Sequence, residues 1–85
     1  MTKFTVVWHA KALDELIELW TNTNDRRLIT DSVDAIDLEL ARDAHLKGVV
    51  IHEEIRWLAN PPVQILFAVS EPDRIARVLK ILNQD

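Results

Sequence analysis

Three histidines, two carboxylate pairs and five cations are the side chains in this sequence with chemistry to offer. His9, His45 and His52 could serve as metal ligands or general bases, because imidazole titrates near neutrality. His45 and His52 could meet Glu53 or Glu54 across a loop. However, the chain has neither an H-E-x-x-H motif nor a histidine pair at i, i+4, so no metal site is expected. His9 directly precedes a helical pattern, which points to a cap or turn. The pairs Asp14/Glu18 and Asp34/Asp37 each share a helix face, a spacing that supports acid–base work only where burial separates two pKa values. Both lie on the polar side of their helices, where solvent is expected to prevent that. Ser32 falls inside a helical stretch and Ser70 at a strand end, neither within a G-x-S-x-G elbow. A single glycine, Gly48, leaves no Gly-rich phosphate loop, and the absence of cysteine excludes a thiol nucleophile, a zinc–thiolate site and a disulfide framework. What remains is a basic set in the second half: Lys47, Arg56, Arg74, Arg77 and Lys80, interleaved with Trp57 and Phe67. Basic strands bearing aromatics can hold RNA or an anionic protein surface. Glu53, Glu54, Glu71 and Asp73 lie among these cations and reduce their field, so solvated strand ends are the plainer reading.

The elements that must position these residues follow from composition and periodicity. With 85 residues, 48% of them hydrophobic and 28% charged, residues 1–85 are expected to form one small domain with a single core. The net charge of −4 is uneven: residues 12 to 45 carry nine acidic and three basic side chains, residues 46 to 85 five of each. Only the second half could present a basic face to an anion. No apolar run reaches membrane-spanning length and the start resembles no signal peptide, so a cytoplasmic protein is expected.

Lys3 to Trp8 alternates as a strand, with Phe4, Val6 and Trp8 on one side. From Ala10 to about Asn22 the period becomes helical, with a seam of Leu13, Leu16, Ile17 and Trp20. Residues 21–25, Thr-Asn-Thr-Asn-Asp, compete for backbone hydrogen bonds; they should end this helix and cap a second one running to about Arg42, with Ile29, Val33, Ile36 and Leu40 as its seam. The short connection implies a helical hairpin. Gly48 sits where the chain leaves the helices, at a turn suited to positive φ. Val49–Ile51 and Ile55–Leu58 read as one strand interrupted near Glu53-Glu54; Val63–Ser70 and Ile75–Leu82 follow, separated by proline-containing turns. The expected architecture is α+β, in the order β-α-α-β-β-β, with an antiparallel sheet packed on the helical hairpin. Its core is expected to hold Val6, Trp8, Leu13, Leu16, Ile17, Ile29, Val33, Ile36, Leu40, Ile65, Phe67 and Leu79.

This pattern resembles the RelE/ParE superfamily of toxins from type II toxin–antitoxin systems, also known for plasmid stabilisation. The resemblance covers nearly the whole chain. It rests on the run from Val6 to Leu16, which is like that family's opening strand and first helix, and on Ile55-Arg56-Trp57-Leu58, Pro62, Ile65–Val69 and Asp73–Ile81. The departures bear on function. Where the family often reads Pro-Tyr-Arg-x-x-Tyr, this chain has Pro62-Val63-Gln64-Ile65-Leu66-Phe67, and the family's basic tail is replaced by Leu82-Asn83-Gln84-Asp85. A cation and two phenols are thus missing from the set that stabilises phosphate charge and moves protons in the RNA-cleaving members; Arg56 carries over.

The resemblance therefore implies a toxin-like component that acts by protein binding, as in the ParE branch, with Arg56, Trp57, Arg74, Arg77 and Lys80 as binding residues. The alternatives are a ribosome-dependent mRNA endoribonuclease with Arg56, Arg77 and Lys80 as phosphate contacts, or a degenerate protein-binding module. The implied partners are a cognate antitoxin, with gyrase or the ribosome and its mRNA as targets, and a homodimer is a further option. No cofactor and no membrane association are expected, and catalysis is not favoured.

Overall fold

The computed structural model describes residues 3–82. Strand β1 spans Thr5–Trp8, helix α1 Ala10–Asn22, helix α2 Arg26–Asp43, and a short 3-10 turn Ala44–Leu46 leads into β2 (Val49–His52), β3 (Ile55–Asn60), β4 (Val63–Ser70) and β5 (Ile75–Leu82). Both helices start as their sequences direct. His9 caps α1, its Nδ1 accepting the Lys11 N–H at 3.2 Å. Asp25 caps α2 by accepting the Leu28 N–H at 3.1 Å, while the Thr23 hydroxyl accepts the N–H of Asp25.

The five strands lie in the order β1-β5-β4-β3-β2. From β2 to β5 each strand is antiparallel to the next, but β1 lies parallel to β5, pairing Thr5 with Ile75 and Trp8 with Val78, so the sheet is mixed. Alternation along a strand states which residues share a face and is silent about its neighbour, so this pairing was decided only in three dimensions. The segment expected as one interrupted strand is a two-strand hairpin turning at Glu53-Glu54. Glu53 adopts a φ of 49°, at a turn position where Gly, Asn or Asp is the usual signal. Gly48 has a φ of 75°, as its isolation predicted, and a Cβ there would come within 2.6 Å of the Trp57 carbonyl oxygen.

The core lies between the helices and one face of the sheet. Val63, Ile65 and Phe67 alternate inward along β4 and meet Ile36 and Leu40 of α2 and Val78 of β5, all fully buried. Ile29 joins them, while Val6, Trp8, Leu16 and Val33 pack partly buried against this cluster. Two expectations fail on α1. Leu13 and Ile17 are exposed, Ile17 to 61%, because the helix turns Ala12, Leu16 and Leu19 inward instead. Ala12 allows close approach, and the rotation brings Glu15 to β5. Leu79 is only half-buried. A bulge leaves it without a partner between Val78, opposite Phe67, and Lys80, opposite Leu66; the slip in parity turns Ile81 into the core. Phe4, Ala44, Val63, Ala76 and Val78 complete the core. The buried Ser32 hydroxyl donates to the Pro61 carbonyl at 3.0 Å and ties α2 to the β3–β4 turn.

Candidate functional site

The helices cover one face of the sheet, and the strands' alternation places a second set of side chains on the other. Residues directly opposed on paired strands share a face. The register therefore lines up Val49, Trp57, Leu66 and Lys80 in one row, and Ile55, Ala68, Arg77 and Val7 in the next. Three of the five expected binding residues, Trp57, Arg77 and Lys80, thus come together on the open face. The Trp57 indole donates to Gln64 Oε1 at 3.0 Å, which fixes the ring across β3 and β4.

Lys80 is held. Its Nζ lies 3.1 Å from Glu15 Oε2, and the other oxygen of that carboxylate accepts the backbone N–H of Ile81 at 3.0 Å. Burial pushes the Glu15 carboxyl up, but the Ile81 N–H and the Lys80 ammonium outweigh it, so its pKa is lowered from the ordinary 4.5.

Arg56 and Arg74 go elsewhere. Arg56 stands opposite Phe67, on the helix side, and its Nη1 donates to the Lys47 carbonyl at 3.1 Å, clasping the chain that enters β2. Arg74 lies in the β4–β5 turn with a φ of 55°; its carbonyl accepts the Thr5 N–H at 2.8 Å, and its side chain lines a shallow cleft with Phe4, His45 and Glu71.

The histidines are dispersed: His9 caps α1, His45 stacks at 5.3 Å from the Phe4 ring, and His52 ends β2. Among the described residues no three His, Asp or Glu side chains are placed to share a metal ion. Of the carboxylate pairs, Asp37 departs from the solvated state expected of it. It is half-buried and accepts the Trp8 Nε1–H at 2.8 Å. Burial raises its pKa from 3.8, against the lowering effect of that hydrogen bond, and the nearby Asp34 charge adds to the rise. The residue is a tether between β1 and α2.

A second surface comes from the rotation of α1. Leu16, Ile17, Trp20, Ile29 and Val33 line an apolar groove of about 260 Å³ between the two helices, with Thr30 and Asp34 at its rim. The Arg26 guanidinium lies 4.5 Å from the Trp20 ring centroid and screens part of it. Sequence reading missed this groove because Leu13-Leu16-Ile17-Trp20 and Ala12-Leu16-Leu19 fit the helical period equally well, and only the first is strongly apolar.

Two helices on one face of a sheet ordered β1-β5-β4-β3-β2 make an α+β fold. No family model and no curated protein matches the sequence. Among solved structures, the chain is similar to one from the toxin–antitoxin complex RelBE2 of Mycobacterium tuberculosis, with a TM-score of 0.77 and 15% sequence identity, over 99% of this chain and 94% of that one. No described helix is long and apolar enough to cross a membrane.

Proposed function

We propose that this protein is the toxin-like component of a type II toxin–antitoxin pair and that it acts by binding a protein, as in the ParE branch, without cleaving RNA. The fold likeness over 99% of the chain to a structure from a toxin–antitoxin complex supports the first part. The open face carries the second. The cations that the strand register places there are Arg77 and Lys80, the latter engaged by Glu15, and Gln64 and the buried Phe67 stand where a cation and a phenol would assist phosphoryl chemistry. The chain has no tyrosine to supply the proton-transferring phenol. Loss of one charge-stabilising group costs such a reaction about two to three orders of magnitude, so a ribonuclease of this design would be slow. The open face instead offers Trp57, Leu66, Val7 and Arg77, a mixture of aromatic, aliphatic and guanidinium groups suited to a protein contact.

The cognate antitoxin takes the groove between α1 and α2. Ile17 and Trp20 present apolar area there that the described elements leave largely exposed, and an amphipathic antitoxin helix would bury it. The test is induction of the gene in a bacterial host, with growth and transcript integrity followed together, alone and with the adjacent small open reading frame. Growth arrest with intact transcripts, relieved by co-expression and restored by Ile17→Asp, is the expected result. Cleaved transcripts that become intact with Arg77→Ala would establish the endoribonuclease reading, and unaffected growth would leave a protein-binding module.

A further inference from the structure

We propose that the free edge of β2 joins two copies of this chain, strand to antiparallel strand, across a two-fold axis beside Val50. β2 is an outer strand whose one neighbour in the sheet is β3, so the N–H and C=O groups on its other side have no partner in the sheet. Val49, Val50 and Ile51 are 59%, 55% and 57% exposed. Edge strands ordinarily avoid this combination by carrying a charge or a proline within the strand. The opposite edge is different: β1 alternates between half-buried and exposed residues, and Val7 is its one exposed large apolar side chain.

The charges flanking β2 select the occupant. Lys47 precedes the strand, and Glu53 and Glu54 follow it. Antiparallel pairing about Val50 sets Lys47 of each copy opposite Glu53 of the other; a half-step of register sets it opposite Glu54 and brings Val50 against Ile51. Parallel pairing would oppose lysine to lysine and glutamate to glutamate. The strand is therefore self-complementary in one direction only, as an isologous interface requires. Arg56 fixes the approach of this edge by holding the Lys47 carbonyl. The strand has four residues and its register with β3 shifts between Val50 and His52, so the contact is small. A dissociation constant on the order of 10–100 μM is expected.

Sedimentation velocity of the purified chain, from about 1 μM to several hundred μM, tests this. The wild type should pass from monomer to dimer. Val50→Lys should weaken the dimer at least about tenfold; its thermal melt is recorded beside that of the wild type, because Arg56 stands opposite this position on β3. Lys47→Glu alone and Glu53→Lys/Glu54→Lys alone should each stay monomeric, because each makes the edge a single sign of charge. Mixed in equal amounts, these two variants should form a heterodimer. A wild type that stays monomeric throughout, a dimer indifferent to Val50→Lys, or variants that fail to associate when mixed would each overturn the proposal. Capture of an unrelated extended peptide by a chain that does not self-associate would do the same.

Discussion

The Glu15 carboxylate accepts the backbone N–H of Ile81 at 3.0 Å and so closes the stretch of β5 that β1 is too short to cover. The last residue of β1, Trp8, pairs with Val78, and a helix side chain takes over where the strand stops. Glu15→Ala leaves that N–H unpaired beside the core and should cost about 1–3 kcal/mol. Glu15→Gln keeps an acceptor and loses only a partly exposed ion pair, so its cost should stay within about 1 kcal/mol. Because the folded form holds its carboxyl below 4.5, the unfolded chain binds the proton more readily. The advantage of Glu15 over Gln should be present above pH 4.5 and vanish as the pH falls through the lower folded value. Urea titrations of both variants across that range check the size and the sign.

Asp37 should behave in the opposite sense. Its folded pKa is raised from 3.8, so the folded form binds the proton more readily and its ionisation works against the fold as the pH rises through the folded value. Asp37→Asn keeps an oxygen for the Trp8 indole and removes the charge. Its melting temperature relative to the wild type should therefore climb between pH 4 and pH 7. A constant difference over that range would show that Asp37 titrates as an ordinary surface carboxylate.

Gly48→Ala should destabilise by about 2 kcal/mol or more. Two causes add: the left-handed φ of 75° and a Cβ placed 2.6 Å from the Trp57 carbonyl oxygen and 3.0 Å from the Phe67 ring. A denaturation midpoint equal to the wild type would mean that β3 gives way at no cost.

Truncation should separate the two sides of the helical layer. Ile36 is fully buried, and Ile36→Ala should cost about 2–5 kcal/mol, a large share of the stability of a domain this size. Ile17 is 61% exposed in the groove, and Ile17→Ala should change stability by no more than about 0.5 kcal/mol. Equal losses at both positions would place α1 in the wrong rotation.

Much of this architecture was legible in the chain. The β4 run Val63–Ser70, the α2 seam of Ile29, Ile36 and Leu40, the cap at Asp25 and the turn at Gly48 follow from periodicity and from the conformations open to particular residues. These are local properties, carried by residues within a few positions of one another. The candidate site was less legible, because the basic residues are ordered in sequence without regard to face. Arg56 and Trp57 are neighbours in the chain and project from opposite sides of β3.

The sequence by itself determined the elements other than the β2–β3 hairpin, the buried seam of α2 with Ile65 and Phe67 of β4, and a shortage of groups for proton transfer, since each depends on residue type and local spacing. Tertiary structure alone decided which helix face was buried, which strand β1 joined, and which cations stood together. The apolar stripe Leu13-Ile17-Trp20 was overruled because Ala12 fits closely and Glu15 has an unpaired N–H of β5 to satisfy. Lys80 was drawn to Glu15, 65 residues away in the chain, because the end of β1 leaves that edge open. Such outcomes depend on the geometry of distant backbone groups, and hydrophobic periodicity carries no record of them.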